Sequence, residues 1–255
     1  RLLSRGLGDV YKRQSTTFSV TPTTDSTVEG IEGMKISVFD SNSNSISSDI
    51  ILINNDGSSA TTAAFTLTTG VDTFTGRSGN DSFDGTTADS LNDYDVLDGG
   101  AGVDTLTVKS ASAAGGLTLI PQLSNMEIIQ ATNSITDDTI ADDDTLTIAL
   151  AGISGITALA NIAGGDGVTF NDLANPVDLT VKSAPNKTTV NYAETALTGA
   201  ADSMTLTLSG TNSTTVAITD DSTATTSALE SLTINSISVA NTLADLQIDG
   251  VLTPT

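Results

Sequence analysis

A run of nine residues carries the chain's most specific chemical signal: Gly99-Gly100-Ala101-Gly102-Val103-Asp104-Thr105-Leu106-Thr107. Glycine adopts positive φ without steric cost, so such a stretch can turn its carbonyl oxygens inward. Asp104 adds a carboxylate. Oxygens of these two kinds are the ligands of a hard divalent cation, and calcium takes about six to eight of them. The spacing fits the calcium-binding nonapeptide G-G-x-G-x-D-x-U-x, in which U is a large apolar residue. Leu106 stands at that position and is expected to point into the fold and anchor the turn. A weaker copy lies upstream, Gly76-Arg77-Ser78-Gly79-Asn80-Asp81-Ser82-Phe83-Asp84, with Arg77 interrupting the glycine pair.

Other chemistries are excluded by what is missing. The chain has no cysteine and no histidine. No Cys/His zinc site, Ser-His-Asp triad or Cys-His pair can form. Paired carboxylates or a calcium-assisted lyase remain open to it, but a lyase needs a base beside the ion and only Arg77 is close in sequence. Carbohydrate platforms need Trp or Tyr, and there is no Trp. The expectation is that the chain is not an enzyme. Its net charge is −22, from 31 acids against 9 bases. Nucleic acid and anionic membrane are poor partners for such a chain, because both need clustered cations. No apolar run is long enough for a transmembrane helix, so no membrane insertion is expected.

The elements that must position the motif read as strands. Aspartate outnumbers glutamate, and Asp favours turns and metal sites over helices. Thr alternates with aliphatic residues in Thr105-Leu106-Thr107-Val108, Thr145-Leu146-Thr147-Ile148, Leu179-Thr180-Val181 and Thr205-Leu206-Thr207-Leu208, each opened by an Asp nearby. Alternation gives each run an apolar face and a hydroxyl face. Flat Thr arrays can order ice, but the spacing here is irregular and solvated strand faces are the better reading. The stretch 155–163 fits either a short helix or a strand and turn. Ser124-Asn125-Met126-Glu127-Ile128-Ile129 parallels Ala228-Leu229-Glu230-Ser231-Leu232-Thr233-Ile234, and both the glutamates and the upstream Asp104 and Asp202 lie about 100 residues apart, suggesting a degenerate module. The acids Asp137-Asp138, Asp142-Asp143-Asp144 and Asp220-Asp221 lack glycine spacing and read as solvated turns.

The expected organisation is a leader at 1–14, a sandwich remnant at 15–56, a linker at 57–65, a calcium-binding repeat region at 66–130 and a Thr/Ser-rich β-repeat module at 131–255. Residues 1–14 differ in composition from the rest and resemble translated sequencing-adapter read-through. Residues 15–56 carry two apolar runs around a polar turn, the signature of a hairpin, and resemble the last strands of an Ig-like or Calx-β-like sandwich. The fold class expected is all-β: an incomplete N-terminal sandwich hairpin, then calcium turns, then a β-solenoid-like array.

The stretch from Gly70 to Val108 resembles the repeat segment of the RTX (repeats-in-toxin) family and of calcium-dependent bacterial S-layer proteins. The resemblance implies that the turns bind Ca2+ and that the chain folds outside the cell, at the bacterial surface, after type I secretion. The positions it implies are Gly76, Gly79, Asn80 and Asp81, then Gly99, Gly100, Gly102 and Asp104. Regular coils in that family repeat every 18 residues or so, whereas Asp81 and Asp104 are 23 apart. The intervening segment holds Asp89, Asp93 and Asp95. Either it bulges out or its carboxylates complete the ion site, Asp95 being the one assigned to it. One or two ions are expected. The function implied is a structural segment of a surface or S-layer protein, with self-association in a surface array. The alternative is a stalk segment of a large adhesin.

Overall fold

The computed structural model describes residues 32–39, 45–53, 62–111, 116–134, 144–184, 186–199, 201–211, 214–220, 228–237 and 241–249. The leader 1–14, most of the expected linker, and Asp137, Asp138, Asp142, Asp143 and Asp221 lie outside them. The chain divides into two units, Arg1–Ser59 and Ala60–Thr255. Among the described residues there is no helix.

In the first unit the two apolar runs pair as an antiparallel ladder, β1 (Glu32–Phe39) against β2 (Ser45–Ile53). Met34 stands opposite Ile51 and Ile36 opposite Asp49, with a register shift between Val38 and Phe39. The second strand begins at Ser45, so it takes in half of the polar run expected to turn.

The second unit is a β-solenoid of about six turns, all of its ladders parallel. One wall is an eight-stranded sheet: β3 (Ala64–Thr66), β5 (Ser82–Gly85), β7 (Thr105–Ser110), β10 (Ile128–Asn133), β12 (Ala158–Ile162), β14 (Asp178–Lys182), β16 (Ser203–Ser209) and β18 (Ser231–Ser236). The facing wall begins as three strands, β4 (Thr73–Thr75), β6 (Val96–Asp98) and β9 (Gln122–Ser124). It continues as six, β8 (Leu117–Leu119), β11 (Leu146–Ala149), β13 (Val168–Leu173), β15 (Thr188–Tyr192), β17 (Thr214–Asp220) and β19 (Leu243–Asp249). The stretch 155–163 holds a strand, β12, at Ala158–Ile162, and no helix. The division expected at residue 130 falls inside β10, and the ladder runs through it unbroken.

The Thr/aliphatic alternation explains both walls. In β7 each inward residue is buried and each outward one half-exposed. Register then stacks like on like. Phe83, Leu106, Ile129, Leu159, Leu179 and Leu206 lie opposite one another in succession, at 0–1 % exposure. Leu119, Ile148, Phe170, Val190 and Ile218 likewise lie opposite one another in the facing wall, at 0–6 % exposure. Each side chain taken wholly out of water contributes about 1.5–3 kcal/mol. At the N-terminal end Phe65 stacks on Phe74 at 5.1 Å and on Phe83 at 4.9 Å, joining the walls with aromatic rings.

A buried polar corner ties the walls further along. Asn133 Nδ2 donates to the Asp144 carbonyl (2.6 Å) and the Gly167 carbonyl (2.8 Å), and Asn161 Nδ2 donates to Thr188 Oγ1 (2.9 Å). Asp144, expected in a solvated turn, is buried at the mouth of β11. Its strand starts where the walls meet, and that position is closed to water.

Coil length is variable. Ala63 to Asp81 is 18 residues, Asp81 to Asp104 is 23, and Thr132 to Ile162 is 30. Strand register survives because surplus residues leave through the corners. The 23-residue spacing therefore leaves Asp81 and Asp104 one coil apart and stacked.

Candidate metal centre

The two glycine turns lie between β4 and β5 and between β6 and β7, one above the other. Their contact is too close for side chains. A Cβ at Gly76 would stand 1.8 Å from the Gly99 carbonyl oxygen, and a Cβ at Gly99 would stand 1.9 Å from that of Asn125. Gly100 (φ 92°) and Gly102 (φ 131°) have the left-handed backbone that glycine tolerates. A Cβ at Gly102 would fall 2.6 Å from the Gly79 carbonyl oxygen. Asn80 caps the coil above through Oδ1, which accepts the Val103 N–H at 3.0 Å.

The acids form a staircase, each accepting the backbone N–H of the acid one coil before. Asp104 Oδ1 accepts from Asp81 at 2.6 Å, and Glu127 Oε2 accepts from Asp104 at 2.8 Å. At the foot, Asp81 accepts the N–H groups of Ala63 and Arg77. Glu127, in sequence a landmark of the long repeat, is thus also a step of this staircase. Its spacing of 23 from Asp104 was the signal that could have found it.

The two turns differ in one hydrogen bond. In the lower turn the Arg77 N–H closes onto Asp81 Oδ2. In the upper turn the equivalent N–H, that of Gly100, points to Asp98 Oδ1 at 3.1 Å. Asp104 Oδ2 is consequently left with no hydrogen-bond partner although Asp104 is 0 % exposed. Burial raises the Asp104 pKa from its ordinary value. The Asp81 N–H lowers it, and the negative charges of Glu127, Asp81 and Asp98 raise it again. The Asn125 amide holds Asp98 below its ordinary value. The space a Gly99 side chain would occupy is bordered by Asp104 Oδ2 at 2.6 Å and the Asn125 carbonyl oxygen at 1.9 Å. A bare carboxylate oxygen and a carbonyl thus both crowd the Cβ position of Gly99. Among the described residues no three acidic side chains gather closely enough to hold an ion by themselves. A cation here would need backbone carbonyls as well.

Asp95 is not brought to this turn. It lies at the other end of β6, fully buried, where Oδ1 accepts the Asp72 N–H (2.8 Å) and Oδ2 the Asn92 N–H (2.9 Å). Asp72 in turn accepts from the Thr68 N–H at 2.6 Å and hydroxyl at 3.1 Å. This second row is satisfied by backbone and hydroxyl donors. Asp89 and Asp93 belong to the same bulge and cap the next coil, at Ala111 and Ile120. The parallel about 100 residues downstream has a local meaning too: Glu230 Oε2 accepts the Asp202 N–H at 2.7 Å, as Glu127 does for Asp104. There Asp202 Oδ2 is taken by the Gly199 N–H at 2.9 Å. Searches of family models, of characterised proteins and of solved structures gave no match to this chain.

Proposed function

We propose that this chain is a structural, calcium-stabilised segment of a secreted bacterial surface protein, of the RTX or S-layer kind that its glycine turns resemble. The observation that carries the reading is the buried, unpartnered Oδ2 of Asp104. A carboxylate oxygen sealed from water without a donor costs several kcal/mol unless a cation faces it. The residues fit such an ion. Asp104 would supply a hard anionic ligand, Asn125 a carbonyl, and Glu127 a second charge one coil on. The ion would neutralise Asp104 and its acidic neighbours and lock one coil to the next. A single ion is proposed, because both oxygens of Asp81 already accept N–H groups.

The outside of a cell holds far more free calcium than the inside. A ligand that binds only the folded state stabilises it by mass action, by about 2.7 kcal/mol at a hundredfold excess over Kd. The same term would leave the chain loose before export and firm after it. Thermal unfolding of the full chain in chelator and in millimolar calcium tests this. The midpoint should rise by roughly 5–10 °C with calcium and by less with magnesium, which demands strict octahedral geometry. An unchanged midpoint would overturn the assignment.

A further inference from the structure

The surplus residues of the 23-residue coil build a second feature, on the opposite side from the glycine turns. β8 is the first strand of the six-stranded sheet, so among the described residues one of its edges has no strand beside it. The bulge 89–94 runs there instead. Asp93 Oδ1 accepts the Ile120 N–H at 2.7 Å, in the position a neighbouring strand's carbonyl would take. Leu117 donates its N–H the other way, to Thr145. In a parallel ladder alternate residues bond to opposite sides, so the N–H and C=O of Thr118 face the bulge.

Between bulge and strand lies a cavity of about 400 Å³, within the range of small-ligand sites. Leu91 and Leu119 are its apolar floor, Asp89 and Asp93 its acidic rim, and Tyr94, 73 % exposed, stands at its mouth. Among the described residues no lysine or arginine lines it. The rim is held in place: Asn92 Nδ2 donates to the Gly70 carbonyl at 2.7 Å and Asn92 Oδ1 accepts the Tyr94 N–H at 3.1 Å.

We infer that this groove binds a lysine side chain on an extended basic segment of a partner protein. A lysine stem is apolar and would lie on the leucine floor, with its ammonium at the carboxylate rim. The face of Tyr94 adds a cation–π contact. The partner's backbone would pair with the one open N–H and C=O of Thr118, in the manner of strand addition. A net charge of −22 draws such a segment in.

The test is fluorescence anisotropy of the full chain with a labelled decapeptide alternating lysine and threonine, and with its glutamate-for-lysine version as control. The lysine peptide should bind with Kd on the order of 10–100 μM at low salt and weaken at least tenfold in 0.5 M NaCl. Tyr94→Ala and Asp93→Asn should each weaken it about fivefold or more; the asparagine keeps an acceptor for Ile120. Asp245→Asn, at a distant acidic position, should leave it unchanged. Equal binding by parent, Tyr94→Ala and Asp93→Asn would mark a diffuse charge effect and overturn the site. So would binding of the glutamate peptide, or of a neutral probe such as cellohexaose in place of the lysine peptide.

Discussion

Asp104 spends one oxygen on the Asp81 N–H and keeps the other bare, so its two substitutions should part company. Asp104→Asn keeps an acceptor for Asp81 and removes a buried charge facing three acids. In chelator its melting midpoint should equal or exceed the parent's, while its response to calcium disappears. Asp104→Ala removes the acceptor too and should be destabilised by about 1–3 kcal/mol in chelator. Paired melts with and without calcium separate these outcomes. Tyr192 offers a pH test. It is buried, with its hydroxyl against Met204 Sδ and the Val177 N–H, and burial pushes its pKa up to about 12. In the unfolded chain the phenol ionises near 10 or so. The contribution of Tyr192 to stability should therefore be constant below about pH 10 and fall between there and 12, by about 1.4 kcal/mol per unit at most. Denaturant melts of parent and Tyr192→Phe across this window should show the slope shrinking in the variant. At this scale the glycines and Asp104 were legible because their spacing is itself the chemistry. The partnerless oxygen was not, since it depends on where one N–H, that of Gly100, turns.

Strands were legible in kind because Thr/aliphatic alternation has only one sensible burial pattern. Their pairing was harder. A parallel coil conceals its length, since coils run from 18 to 30 residues and the corners take up the surplus without disturbing register. Asp95 shows the effect: it is close to Gly99 in sequence, yet β6 separates them end from end. Glycine contacts in the stacked turns set a sharper requirement than the ion does. Gly99→Ala would drive a methyl into the Asn125 carbonyl, which is backbone and cannot yield. We expect that variant to lose at least about 2 kcal/mol with or without calcium. Circular-dichroism melts in both conditions should show the loss. A Gly70→Ala control, whose nearest neighbour would be the Thr68 hydroxyl at 3.5 Å, should melt like the parent.

Over the whole molecule, each coil rests chiefly on its two neighbours, and stability should vary along the axis. The apolar ladder that ends at Leu206 meets Ile234 in β18, and Ile234 is 48 % exposed where Leu206 is 0 %. Leu232, Leu243 and Leu246 are only partly covered. Hydrogen exchange should therefore be fastest in β18 and β19 and slowest in β10, β12 and β13, where both neighbours are present. Uniform protection along the solenoid would contradict this picture. The architecture was legible as a repeat array because small side chains, few aromatics and scattered turn signals leave a thin stacked coil as the economical way to bury apolar surface.

The unequal coils have a mechanical consequence. Strands lie across the solenoid, so tension applied to its ends pulls each one away from its neighbour bond by bond and peels the coils in turn. A released coil of 18 to 30 residues lengthens the tether by roughly 60–100 Å. The force trace would be a series of low peaks at uneven intervals, each interval naming the coil that let go. An ion between Asp104 and Glu127 would act as a rivet at one place in that series, and the peak that grows when calcium is added would mark where it sits.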